Sequence, residues 1–356
     1  MLISKLKPFA VAVFVTSSLA LLAQGSASFG QSIPELAADR VIALPPSDPG
    51  GAPPVLTAVA LSADGKTLAT GGDDHVVRLW DIATGALVRE MRGHTDWVRD
   101  LAFDPIGESL ASASDDRLVK LWSMKGEALR TLPGPEHPIF SLAYTPDGST
   151  LAAAGYEARI RLYDPRTGNV TRELNTDDAE VRALSISPNG QYLAAAGRNG
   201  HIRVWKLSDF KQVHDLVAHK QRVRALAFSP NSNLLASGGD DRKLRIWDMT
   251  TGSEALSLPS RSGKIQALVF CGDDTLASGT SDNGIRLWDL ASKNEMLRLS
   301  GHTGSVSSLD YHPASGTFVS GSFDTSARVW KLEQEGKLKV ARQALKIAPS
   351  ADGSRK

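Results

Sequence analysis

The 356-residue chain has one cysteine, Cys271, so no intrachain disulfide can form. Cys271 follows the apolar run Leu268-Val269-Phe270, which argues for a partly buried thiol rather than a nucleophile. No Cys-x-x-Cys-His occurs, which excludes a covalently attached c-type haem. Charge of either sign is not in excess: 40 basic residues face 39 acidic ones, for a net charge of +1. Such a surface exerts no long-range pull on nucleic acid or an acidic membrane. No Gly-x-Ser-x-Gly elbow is present. No repeat shows the 3.6-residue period of an amphipathic helix.

What is present begins with a leader pattern. Lys5 and Lys7 precede an apolar run from Phe9 to Ala23, and small residues follow at Gly25-Ser26-Ala27-Ser28. This order reads as a secretory signal peptide, residues 1–27, cut near Ala27. A lone membrane anchor is the competing reading, but a run of about 15 falls short of the roughly 20 residues a span needs. No cysteine follows the run directly, which argues against a lipoprotein anchor. Removing residues 1–27 moves the net charge from +1 to −1, since two lysines and no acids go with them. The leader predicts an exported protein, periplasmic or extracellular. Its compact form suggests a bacterium, and no membrane span is expected in the mature chain. The Asn169-Val170-Thr171 sequon matters only on a eukaryotic secretory route.

Seven aromatics then recur at a nearly fixed interval: Trp80, Trp122, Tyr163, Trp205, Trp247, Trp288 and Trp330, with gaps of 42, 41, 42, 42, 41 and 42 residues. A period near 40 means one supersecondary unit used seven times, each covered by its neighbours. Two places before each aromatic stands a base: Arg78, Lys120, Arg161, Arg203, Arg245, Arg286, Arg328. Mostly branched aliphatics flank it, as in Leu244 and Ile246. That is the period-two pleat of a strand. In the second repeat, strand signals run over 97–103, 110–114, 118–122 and 128–132, with turns between them. The second strand of each repeat is built of small residues, such as Leu235-Ala236-Ser237, so it belongs toward the inside of a radial array, where sheets crowd. The expectation is an all-β, seven-bladed β-propeller of four-stranded antiparallel blades. Residues 28–54 form a leader segment, 55–335 the repeats and 336–356 a partly disordered extension.

These residues resemble the WD40 repeat family. Trp80-Asp81, Trp247-Asp248 and Trp288-Asp289 carry its naming dipeptide, and Gly93-His94 and Gly301-His302 its glycine-histidine pair, with Ala218-His219 a near form. The resemblance covers about 280 residues. It implies a hydrogen-bonded tetrad of His, Ser/Thr, Asp and Trp in each strong blade. Three repeats match at every position: His94, Ser112, Asp116, Trp122; His219, Ser237, Asp241, Trp247; and His302, Ser320, Asp324, Trp330. The first repeat keeps Thr70, Asp74 and Trp80 but has Ala52 at the His position. The third has Ala153, Glu157 and Tyr163, with His137 displaced by two. The fourth has Ala195 and Asn199, and the sixth has Arg261 at the His position. Blades three and four are therefore expected to be the softest. The repeated trio of His, Ser and Asp is read as structural, because a catalytic triad occurs once in a domain. The Asp pairs Asp73-Asp74, Asp115-Asp116 and Asp240-Asp241 could suit a hard cation, but the resemblance commits the second acid of each pair to a tetrad. No catalytic residue, metal or cofactor is expected.

The family repeat starts with the outer strand of the preceding blade, so blade seven needs a strand from elsewhere. Residues 40–44 are the favoured donor and Lys337 to Ala344 the alternative. By resemblance, three columns of loop positions share one face of the ring: Val55, Trp97, Pro138, Glu180, Arg222, Lys264 and Ser305; Thr57, Arg99, Phe140, Arg182, Arg224, Gln266 and Ser307; and Asp73, Asp115, Tyr156, Arg198, Asp240, Ser281 and Phe323. Trp97, Phe140, Tyr156 and Phe323 with Arg99, Arg182, Arg198, Arg222 and Arg224 are the candidate partner-binding residues, of the types enriched at binding hot spots. Alternatively each is a solvated loop residue or packs on a neighbouring blade. The expected role is a monomeric, non-enzymatic scaffold for a protein or peptide partner. The rival role is an enzyme or ligand-binding propeller using the central channel.

Overall fold

The computed structural model describes residues 33–48, 50–258 and 263–332. The strands form seven sheets. Blade one comprises Leu56–Leu61, Thr67–Gly72, Val77–Asp81 and Leu87–Met91, and the same antiparallel meander recurs in each blade up to the seventh. The first strands of successive blades neighbour one another in a closed cycle, with Val306–His312 returning to Leu56–Leu61. The innermost strand is thus the first. The small-residue strand lies second from the axis.

The reason for the small residues is visible in the packing. Apolar burial is divided into seven clusters, one at each interface between blades. In one of them Ala58, Ala60, Ala69, Val77, Leu79 and Met91 of blade one meet Val98, Leu101, Leu110 and Trp122 of blade two. The alanine face of one sheet receives the large aromatic of the next. An aromatic buries about 150–250 Å², worth about 4–6 kcal/mol at roughly 25 cal/mol per Å². A bulkier second strand would lift that ring off its seat.

The seam is closed by the N-terminal segment. Arg40–Ala43 pairs antiparallel with Ser326–Lys331 and becomes the outer strand of blade seven. Ile42 and Leu44 are each only 3% exposed and join Leu56, Val59, Trp80, Val319 and Val329 in the last interface. The alternative donor, residues 337–344, lies outside the described residues. A second strand, not expected from the sequence, precedes it. Glu35–Ala37 adds in parallel to Asn294–Ser300, making blade six five-stranded. The outer strand of blade six differs from the others because Met296 and Leu297 are buried, and Leu36 and Ala38 pack against their cluster. One segment therefore laps two blades.

Side chains also tie inner strands together. Ser308 Oγ accepts from the Val59 amide at 3.1 Å, Asp100 from Leu142 at 2.7 Å, Ser141 from Leu184 at 3.0 Å and Asp310 from Leu61 at 2.7 Å. Each acceptor belongs to the blade before its donor. At the third position of the inner strand, blades four to six carry Ala183, Ala225 and Ala267, which have no acceptor to offer. Burial pushes the Asp100 carboxyl up to about 6, against the opposing pull of the Leu142 and Leu101 amides. Its folded pKa exceeds its unfolded one, so this contribution is present below about pH 4 and is lost as pH rises through about 6. Asp100→Asn has one acceptor oxygen for the two amides that Asp100 serves, so its stability difference from wild type is expected to shift in its favour by about 1–3 kcal/mol from pH 4 to pH 7. Denaturant melts of both proteins at the two pH values check this, and a difference that ignores pH would refute it.

Candidate partner-binding face

The frame that holds the face is set by the polar residues of each blade. In blade two the Trp122 indole N–H donates to Ser112 Oγ at 2.8 Å, Ser112 lies 2.7 Å from His94 Nε2, and His94 Nδ1 lies 2.7 Å from Asp116. One proton arrangement satisfies every group: Ser112 donates to Nε2, and Nδ1–H donates to the carboxylate. Burial alone would raise Asp116, but the hydrogen bond from His94 and those from the Thr95 and Leu118 amides hold it low. Blade five repeats the chain, with Trp247 to Ser237 at 2.9 Å, Ser237 to His219 at 2.8 Å and His219 to Asp241 at 3.0 Å. Blade seven departs from the expected quartet. His302 bonds Ser320 at 2.6 Å and Asp324 at 2.7 Å, but the Trp330 indole donates to the Leu36 carbonyl at 3.4 Å. The added strand at Glu35–Ala37 brings that carbonyl within the indole's reach.

Where the histidine is missing, the acid finds another cation. Arg78 pairs with Asp74 at 2.7 Å, Arg161 with Glu157 at 2.5 Å and Arg286 with Asp282 at 2.7 Å, each four residues apart. In blade one Ser47 also donates to Asp74, supplying a hydroxyl from the leader segment. Arg261, at the sixth histidine position, lies outside the described residues. The acid has a second task, which explains Asn199 in blade four. Asp116 Oδ1 accepts the Leu118 amide at 3.0 Å, and Asn199 Oδ1 accepts the His201 amide at 2.9 Å. An amide oxygen keeps the turn without the charge.

Ser112, Ser237 and Ser320 are fully buried. Ser237→Ala is expected to cost about 1–3 kcal/mol by leaving the Trp247 and His219 donor and acceptor unpaired. Calorimetry reads that loss, and covalent labelling of Ser237 in the native protein by a fluorophosphonate would contradict it.

Upon this frame, the second column stands on the first strand of each blade and the third on the residue just past the second strand, so the two columns lie side by side. Their contents decide what each arginine does. In blade two Arg99 meets Asp115, with Nε 2.9 Å from either carboxylate oxygen, and its guanidinium lies 4.6 Å from the Trp97 ring centre. In blade five Arg224 meets Asp240 in the same way, Nη2 donating at 3.3 Å. In blade four the facing residue is another cation, Arg198, so Arg182 turns away. It takes Glu180 and stacks 3.7 Å over the Phe140 ring of blade three. Arg198 is exposed and makes no ion pair among the described residues. Arg222 bridges blades, holding Glu180 at 3.1 Å and Asp240 at 3.9 Å, and Lys264 reaches Asp240 at 3.6 Å.

The five arginines therefore differ in what holds them. Arg99, Arg182, Arg222 and Arg224 are anchored by Asp115, Glu180 and Asp240, and Arg198 alone stands free of them. The carboxylates were within the columns, but pairing them with arginines needs the columns laid side by side. Among the aromatics, Tyr156 and Phe323 are 45% and 46% exposed, and His137 meets Tyr156 edge-on with ring centres 6.1 Å apart. Trp97 and Phe140 are half-buried beneath or beside a guanidinium. Arg99, Phe140, Arg182, Arg224 and Phe323 all line one cavity of about 250 Å³ at this mouth of the channel. Cys271 is buried, and its thiol is pushed up by burial and by the charge of Asp310, so it is a weak nucleophile.

Among the described residues, seven sheets around a channel, six of four strands and the sixth blade with a fifth, and a polar chain inside the better blades define a β-propeller of repeated WD type. All seven repeats match the model of the WD domain, G-beta repeat, at residues 50–81, 85–123, 126–164, 168–206, 210–248, 252–289 and 293–331. The chain belongs to the WD40 family. Its first match carries no strand from a preceding blade, consistent with Arg40–Ala43 filling that place. It is 37% identical over 113 residues to rat Coronin-7, covering 29% of this chain and 12% of the relative. It is 28% identical over 121 residues to anaphase-promoting complex subunit cdc20 of Dictyostelium discoideum, covering 34% and 24%. Nuclear distribution protein nudF of Aspergillus flavus is 28% identical over 114 residues, covering 31% and 25%. The matched stretches thus take in a quarter or less of these relatives' lengths.

Proposed function

We propose that this chain is an exported, non-enzymatic propeller that captures a protein or peptide partner on the channel mouth described above. The observation that carries the reading is the pairing of guanidinium and aromatic groups there, Arg99 with Trp97 and Arg182 with Phe140, on rigid strands. Stacked, ion-paired arginines lose little further freedom when they bind, which favours affinity. The exposed rings of Tyr156 and Phe323 add apolar area beside them. Similarity to a propeller whose name makes it a subunit of a complex supports the same role. The burial of every tetrad serine supports a role without covalent chemistry. Among the described residues no helix is long and apolar enough to cross a membrane. Export rests on the leader pattern alone, and N-terminal sequencing of the mature protein from the cell envelope tests it.

Affinity capture of the mature form from its native envelope, read by mass spectrometry, tests the function. A stoichiometric protein partner is the expected result. A purified protein that binds no partner but turns over a hydrolase substrate would support the channel as an active site instead.

A further inference from the structure

The side chains at the mouth over blades four to six form one connected network. Arg182 and Arg222 share Glu180; Arg222, Arg224 and Lys264 share Asp240. Four cations meet two carboxylates, which leaves a surplus of two positive charges. Arg222 Nε is buried and has no hydrogen-bond partner. Glu180 is buried and already serves two arginines, so it has no further oxygen to give. Arg182 and Arg224 both border the cavity, whose volume fits a side chain and not a folded element.

We infer that this mouth recognises an acidic peptide segment of the partner, with one carboxylate side chain entering between Arg182 and Arg224. The inference rests on the partner-binding reading and names the partner's chemistry. A guanidinium already desolvated and paired offers its remaining N–H groups to a carboxylate at a fixed angle. The surplus draws a negative charge, and the walls of the cavity strengthen that attraction over its value in water. The same geometry limits the length of the anion. Asp73, Asp96 and Asp115 stand at the loops of blades one and two, and among the described residues only Asp115 of the three has an ion pair, with Arg99. A long polyanion crossing the mouth would meet them, whereas a short acidic segment over blades four to six would not.

A fluorescein-labelled Gly-Ser-Glu-Glu-Phe-Gly peptide and its Lys-Lys counterpart, read by anisotropy against the mature protein, test this. The acidic peptide is expected to bind, and to bind roughly tenfold more weakly in about 0.5 M salt. Arg182→Gln with Arg224→Gln is expected to weaken it by roughly tenfold or more. Asp240→Asn raises the surplus and is expected to tighten it severalfold, a gain that a damaged fold would not give. Circular dichroism confirms that each variant is folded. No binding of the acidic peptide, equal binding of the Lys-Lys peptide, or no response to either variant overturns the inference, as does full displacement by millimolar inorganic phosphate. Native-partner capture that survives both variants but fails in Trp97→Ala overturns the acidic-peptide inference alone. Capture that fails with the wild type overturns the partner-binding reading itself.

Discussion

Deleting residues 28–46 should lower the melting midpoint by about 6–24 °C. The deletion removes Ile42 and Leu44, which the last interface buries. Two such side chains are worth about 3–6 kcal/mol together, out of a total domain stability of roughly 5–15 kcal/mol. At roughly 2–4 °C per kcal/mol, that loss gives the stated fall. It also uncovers the edge of Ser326–Lys331, whose ladder groups then face solvent. The parallel strand over Met296 and Leu297 goes with it. Aggregation on heating is the expected second symptom. A synthetic peptide of residues 33–46 supplied in trans should restore part of the loss. A melting curve unmoved by the deletion would mean that another segment, such as residues 337–344, closes the ring.

The second large effect concerns binding. Trp97→Ala with Arg224→Ala should abolish partner capture and leave the melting midpoint nearly where it was. Neither side chain belongs to an interface cluster. Asp240 keeps Arg222 and Lys264 as partners when Arg224 is lost. Two hot-spot losses of about 2 kcal/mol each multiply to roughly a thousandfold in affinity. Surface plasmon resonance with the captured partner reads the affinity and calorimetry reads the fold. Undiminished affinity in a folded double variant would place the binding surface elsewhere on the ring.

The electrostatics of the frame and of the face follow one rule. A half-buried acid must be compensated, and the nearest donor of the right geometry does it. Histidine fills the role for Asp116, Asp241 and Asp324. The base four residues on fills it for Asp74, Glu157 and Asp282. The expectation that blades three and four are the softest must therefore distinguish between the two. Blade three has its own ion pair, and the Tyr163 hydroxyl donates to the Pro133 carbonyl at 2.7 Å. Blade four has Asn199 in place of the acid and Ala195 in place of the serine, so its Trp205 lacks that hydroxyl.

The sequence by itself determined the repeat, the number of blades and the order of four strands in each, while its resemblance to the WD40 family implied the polar chains seen in blades two and five. These depend on periodicity and on residues within one repeat, whose spacing is fixed by the strand geometry. The tertiary structure decided how the ring is clasped, where the Trp330 indole turns and which arginines are free. Arg222 finds Glu180 42 residues away, and Trp330 finds Leu36 294 residues away. Such contacts have no local signature. They are set by which strand lies on which edge, and that is settled only when the circle of sheets closes.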